Sequence, residues 1–142
     1  MKKNKILIVY GTRYGATTGT AEEIAKILQE EDLDVNVVNL KEEKVRDIAE
    51  YELIIIGSGI QIYRWTSKAE GFLKQFSREL ENKKVALFVS SGAQGLPDND
   101  GDPEKIGEAR RKYLEEKASK YNLHPISMGL FGGIWDYNNM PF

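Results

Sequence analysis

The stretch Lys5-Ile-Leu-Ile-Val-Tyr-Gly-Thr-Arg-Tyr-Gly-Ala-Thr-Thr-Gly-Thr-Ala-Glu-Glu-Ile-Ala25 decides the fold. Ile6 to Tyr10 is a short apolar run without polar alternation, the pattern of a strand buried on both faces. From Gly11 to Thr20 the chain carries glycines and hydroxyls in place of apolar residues. Ala21, Ile24, Ala25 and Leu28 then recur at helical spacing and define one apolar face. A buried strand that turns through a Gly/Thr loop into an amphipathic helix is the opening half of a βαβ unit.

Outward from this unit the pattern repeats. Val35–Leu40, Leu53–Gly57 and Val85–Ser90 are further Ile/Val-rich runs, and a fifth strand falls near Pro125–Phe131. Phe72, Leu73, Phe76 and Leu80 line one helical face, and Ile106, Ala109, Tyr113 and Leu114 another. Val45, Ile48 and Ala49 predict a shorter helix. Ser67-x-x-Glu70 reads as a capping box, and Asp102-Pro103 as an N-cap followed by proline in the first turn. Five strands alternating with helices predict an α/β fold: one three-layer, doubly wound parallel five-stranded sheet, ordered 2-1-3-4-5.

The 142 residues, 41% of them hydrophobic, suit a single domain spanning 1–142 with one site. A formal net charge of −2, built from many charges of both signs, gives no basic face for nucleic acid. With no cysteine and one histidine, His124, thiol chemistry and a metal cluster are not expected. The apolar run after Met1-Lys-Lys-Asn-Lys5 is too short for a signal peptide or a membrane span, so the expectation is a cytoplasmic protein without a transmembrane segment.

In open α/β sheets ligands bind beyond the carboxyl ends of the strands, where the strand order reverses. That rule selects three loops, 11–18, 58–66 and 90–102. The first holds Thr12, Arg13, Tyr14, Gly15, Ala16 and Thr17 between a strand and a helix, where hydroxyls and backbone amides suit a phosphate. It lacks the Gly-Lys-Ser/Thr of a nucleoside triphosphate loop. The plainer alternative is a helix cap, for which Thr20-x-x-Glu23 is available. The second loop holds Ser58, Gly59 and Ile60, then Tyr63 and Trp65, either of which offers a flat face to a planar ring. Trp65 is equally suited to packing across the start of the next helix. The third begins Ser90-Ser91-Gly92-Ala93, whose small residues let backbone amides approach a ring edge.

Thr12, Gly15 and Thr17 stand in the register of the flavodoxin motif Thr/Ser-x-Thr-Gly-x-Thr, so the first loop resembles that family; Tyr14 departs from its usual hydroxyl. The resemblance implies a flavodoxin-like fold and FMN, with its phosphate on residues 12–17, its ring on the Ser58–Trp65 loop and its pyrimidine edge on Ser90–Ala93. The whole chain is similar to the flavodoxin-like, quinone-linked protoporphyrinogen oxidases through Thr12-Arg13-x-Gly15-x-Thr17, Gly57-Ser58-Gly59-Ile60, Leu87-Phe88 and Met128–Tyr137. That similarity implies a porphyrinogen substrate, a quinone acceptor and a location peripheral to the membrane. Those proteins continue into a basic insertion and a last helix, whereas this chain stops at Phe142. The uncovered face of the fifth strand is then expected to be met by another subunit, a homo-oligomer being one form, or by chain beyond residue 142.

No side chain need act as acid or base if a flavin carries the chemistry. The alternatives are a small electron carrier working with a redox partner protein, or a flavodoxin-fold binding module that has lost flavin. Carriers of this fold are usually strongly acidic, and −2 leans gently away from one. A phosphoacceptor module needs acids at the ends of strands one and three, where Gly11-Thr12 and Gly57-Ser58 stand.

Overall fold

The structure, a computed structural model, describes residues 4–12, 16–61, 64–90 and 103–131. Along the chain it contains β1 (Lys5–Gly11), α1 (Ala16–Glu30), β2 (Asp34–Asn39), β3 (Leu53–Gln61), β4 (Arg64–Trp65), α2 (Ser67–Gln75), α3 (Ser77–Leu80), β5 (Lys84–Ser90), α4 (Pro103–Arg110), a π-helical stretch (Arg111–Glu115), α5 (Glu116–Lys120) and β6 (Pro125–Phe131). The sheet runs β2-β1-β3-β5-β6, with β4 paired to β3 alone. The five long strands are mutually parallel and stand in the order expected from the sequence, while the antiparallel β4 is an addition.

Two cores form because alternate residues of buried strands point to opposite faces. On one face Ile6, Ile8, Leu53, Ile55, Ala86 and Phe88 pack against Ala21, Ile24, Ala25 and Leu28 of α1. On the other, Leu7, Val9, Ile54, Ile56, Val85, Leu87 and Val89 meet α2, α3 and the later helices. Phe88 is fully buried although the strand beside it carries Gly57. A Cβ at position 57 would stand 2.0 Å from the Phe88 ring, so the missing side chain is what admits the ring.

Three expectations from periodicity are corrected. No helix forms at Val45–Ala49. Ile48 is fully buried as a single plug, and the carbonyls of Ala49 and Tyr51 accept hydrogen bonds from the Lys83 ammonium, so the segment satisfies its backbone without a helix. β2 is half open rather than buried on both faces, since it is the sheet edge. The third strand runs four residues past Gly57 to Gln61 because β4 folds back on it, pairing Ile60 with Trp65 and Gln61 with Arg64.

The capping box at Ser67 is also displaced. Thr66 is the N-cap of α2, its hydroxyl accepting from the Ala69 amide, and Ser67 is the first helical residue. Glu70 is thereby freed from capping and reaches α5, where it accepts from the Lys117 ammonium and the Tyr121 hydroxyl and lies 3.5 Å from Lys120 Nζ. Burial alone would raise the Glu70 pKa, but the Lys117 and Tyr121 hydrogen bonds and the two ammonium charges together hold it below its ordinary 4.5. Burial, then the Glu70 carboxylate, pushes the Tyr121 phenol above the usual tyrosine range.

Gly57→Ala must push Phe88 out of place, and overpacking of this kind costs about 1–3 kcal/mol; urea unfolding of the variant is expected to show that loss. For Glu70 the folded pKa is the lower one. Its contribution to stability is therefore complete above about pH 4.5 and is lost as pH falls through the depressed value. The stability gap between the parent chain and Glu70→Gln, measured by urea titration, is expected to be larger at pH 7 than at pH 3.

Candidate functional site

The carboxyl ends of β1, β3 and β5 lie side by side. Strand register places Gly11 beside Ser58 and Gly59 beside Ser90. α1 starts at Ala16, so the first-turn amides that have no helical partner sit at the end of β1. Because the helix begins there, Thr20 lies in its second turn and Thr20-x-x-Glu23 does not cap it. No acidic side chain occupies the first turn of α1, so the helix's own first turn does not neutralise that end.

Thr17 is 1% exposed, and its hydroxyl lies 2.9 Å from the Ser90 hydroxyl, joining the start of α1 to the end of β5. Gly59 makes this possible, since a Cβ there would come within 2.9 Å of Thr17 Oγ1. Ser58 is fully buried; its hydroxyl accepts from the Thr66 amide at 2.8 Å and donates to the Gly59 carbonyl. Gly11 has the matching role on β1, because a Cβ there would meet Thr66 Oγ1 at 2.0 Å. Side chains of one size would break this arrangement: the strand ends are built from glycine and hydroxyl residues that let three loops converge.

Of the residues expected from sequence, Thr12, Ala16, Thr17, Ser58, Gly59 and Ser90 are brought to this edge. Arg13, Tyr14, Gly15, Tyr63, Ser91, Gly92 and Ala93 lie outside the described residues. Ile60 is buried in the α2-side core and pairs with Trp65. Trp65 is 6% exposed, and its indole N–H donates to the Tyr113 carbonyl at 2.8 Å. Its indole thus ties β4 to the π-helical stretch, a contact that neither sequence reading named. The Thr17–Ser90 and Ser58–Thr66 contacts were not foreseen; hydroxyls clustered at three strand ends were the available signal.

Among the described residues no group of three His, Asp or Glu side chains is placed to hold a metal ion, and no helix is long and apolar enough to cross a membrane. The edge is a cradle of uncharged donors and acceptors at a helix N-terminus, in a doubly wound sheet, at its topological switch point. This is the arrangement of an anion-binding or nucleotide-binding α/β domain.

Comparison with known proteins gives the family. A model of the flavodoxin domain matches residues 7–142, and the chain belongs to that family. It is 34% identical over 88 residues to a flavodoxin of Clostridium beijerinckii, the match covering 60% of this chain and 63% of that one. It is 33% identical over 114 residues to a flavodoxin of Synechocystis, covering 77% of this chain and 63% of that protein. Against both relatives the chain spans 63% of their length. The solved structure of Fusobacterium nucleatum flavodoxin bound to flavin mononucleotide superposes with a TM-score of 0.60 at 20% identity, covering 86% of this chain and 68% of that one.

Ser90→Ala removes the hydroxyl that meets the buried Thr17 hydroxyl at 2.9 Å. The variant is expected to lose about 1–3 kcal/mol of stability, measured by urea unfolding, while Ser90→Thr retains most of it.

Proposed function

We propose that the chain binds FMN at the carboxyl edge of β1, β3 and β5 and acts as a one-cofactor electron carrier. The observation that carries this is the Thr17–Ser90 hydroxyl pair beside the Ser58–Thr66 contact, with Gly11 and Gly59 admitting them, at the N-terminus of α1, whose first turn holds no acid, in a member of the flavodoxin family. The residues fit the cofactor. A hydroxyl has one donor and two acceptor sites, so Thr17 can serve Ser90 and an anion together. The first-turn amides of α1 then hold the phosphate with Thr12 and Thr17. Residues 58–60 and Ser90 would offer their backbone to the ring; the sequence likeness adds Tyr63 and residues 91–93, which lie outside the described residues. Trp65 supports the β3–β4 hairpin from the core side.

When bound, FMN supplies the electron chemistry. The chain binds it, orients it and sets the polarity around it. The cradle residues within the described chain carry no titratable group, which favours electron passage over acid–base work by the protein.

The narrower reading, oxidation of protoporphyrinogen with a quinone acceptor near a membrane, rests on the sequence likeness around Arg13 and at 128–137. The flavodoxin relatives favour the carrier instead. A redox partner protein, rather than a porphyrinogen, is the corresponding partner.

The purified chain is expected to be yellow and to release FMN on denaturation; a colourless chain that takes up no added FMN would overturn the proposal. Thr12→Ala combined with Thr17→Ala is expected to weaken FMN by about 1–3 kcal/mol through lost hydrogen bonds to a charged group, read from fluorescence titration. Quinone-dependent turnover of protoporphyrinogen by the FMN-loaded chain would replace the carrier with the oxidase.

A further inference from the structure

β4 is two residues long and pairs with β3 alone, so the sheet holds it at two ladder positions, Ile60 with Trp65 and Gln61 with Arg64. A two-stranded ribbon of this length is marginal in water and needs further anchors. Arg64 is exposed, whereas Trp65 is buried in the α2-side core. The Trp65 indole N–H donates to the Tyr113 carbonyl at 2.8 Å, and the Lys117 ammonium lies 5.7 Å from the centre of the same ring. The return strand is therefore moored to a backbone atom of the π-helical stretch by a hydrogen bond of fixed direction.

Trp65 stands between that helical layer and the strand edge. Next to it along the chain, the Thr66 amide donates to the Ser58 hydroxyl at 2.8 Å, and Thr66 Oγ1 fills the space that a Cβ at Gly11 would need. Across the ladder its partner is Ile60, the neighbour of Gly59, whose missing side chain admits Thr17. We propose that Trp65 is a positioning residue for the ring side of the strand edge: its bond to the Tyr113 carbonyl fixes the β3–β4 hairpin and, through it, the backbone of residues 58–60. The effect on the cofactor rests on the FMN reading, and the effect on the hairpin rests on the chain's own contacts. Backbone dipoles at residues 58–60 meet a ring whose charge distribution changes on reduction. Loosening them then alters the affinities for oxidised and reduced FMN by different amounts, which moves the midpoint potential.

The test removes the indole N–H and keeps the ring. Trp65→benzothienylalanine puts sulfur in place of the N–H at nearly the same shape, and Trp65→Phe is the simpler second variant. Ile48→Val, a buried position in the segment that leads into β3, is the packing control. Amide hydrogen exchange at Ser58, Gly59 and Ile60 is followed by NMR in the chain as purified, FMN affinity by fluorescence titration and the midpoint potential by redox titration. Loss of the N–H is expected to speed exchange at residues 58–60 by about fivefold or more, the net worth of one hydrogen bond. The FMN dissociation constant is expected to rise by a similar factor and the midpoint potential to move, whereas Ile48→Val leaves the potential where it was. Exchange unchanged in both Trp65 variants, or faster exchange with affinity and potential unchanged, would overturn the proposal. A parent chain that takes up no FMN would overturn the reading of function, and the exchange rates would still decide whether Trp65 governs the edge.

Discussion

The uninterrupted parallel register of β1, β3 and β5 is the constraint on which the rest of the structure depends. It sets Gly11 level with Ser58 and Gly59 level with Ser90, so the smallest side chains of three strands arrive at one edge together. A slip of one residue in β3 would exchange its two faces. Ile54 and Ile56 would then confront α1, Gly57 would no longer lie under Phe88, and Gly59 would leave the place where Thr17 meets Ser90. Core packing and cradle geometry are thus two consequences of the same ladder.

The helical layer opposite α1 is organised around a different requirement, the satisfaction of buried polar groups. Trp65 brings an indole N–H into the core, and a buried donor needs an acceptor. The Tyr113 carbonyl meets it from the π-helical stretch, whose wider turn departs from the regular ladder of helical hydrogen bonds. One turn into α2, Glu70 is a half-buried acid with the opposite need, and Lys117, Lys120 and Tyr121 converge on it from α5 and its end. These two polar contacts tie β4 and α2 to the later helices at defined positions, where apolar packing alone has no such direction.

Much of this was legible in the sequence. Long Ile/Val runs without alternation are read reliably because burial on both faces leaves little other choice, and the resulting strand order fixes where loops converge. The failures have local physical causes. Val45, Ile48 and Ala49 have helical spacing, yet one buried plug and the Lys83 ammonium settle that segment in an irregular form. In Trp65-Thr66-Ser67 two adjacent hydroxyls compete to cap α2, and only the place of Thr66 against Gly11 and Ser58 decides between them. The same packing takes Trp65 into the core, which periodicity could not separate from a ring-stacking position. At the strand edge the motif marked the residues but not their contacts with each other, because the partner of Thr17 lies 73 residues away.

The chemistry of the strand edge follows from what it lacks as well as what it holds. Thr12, Thr17, Ser58, Gly59 and Ser90 offer hydrogen bonds and close backbone approach, and none changes charge near neutral pH. Through these residues the edge can meet an anion by fixed dipoles alone. These residues can act on a bound group only through distance, orientation and local polarity. Among the described residues the two groups with shifted pKa values, Glu70 and Tyr121, lie elsewhere, between α2 and the end of α5.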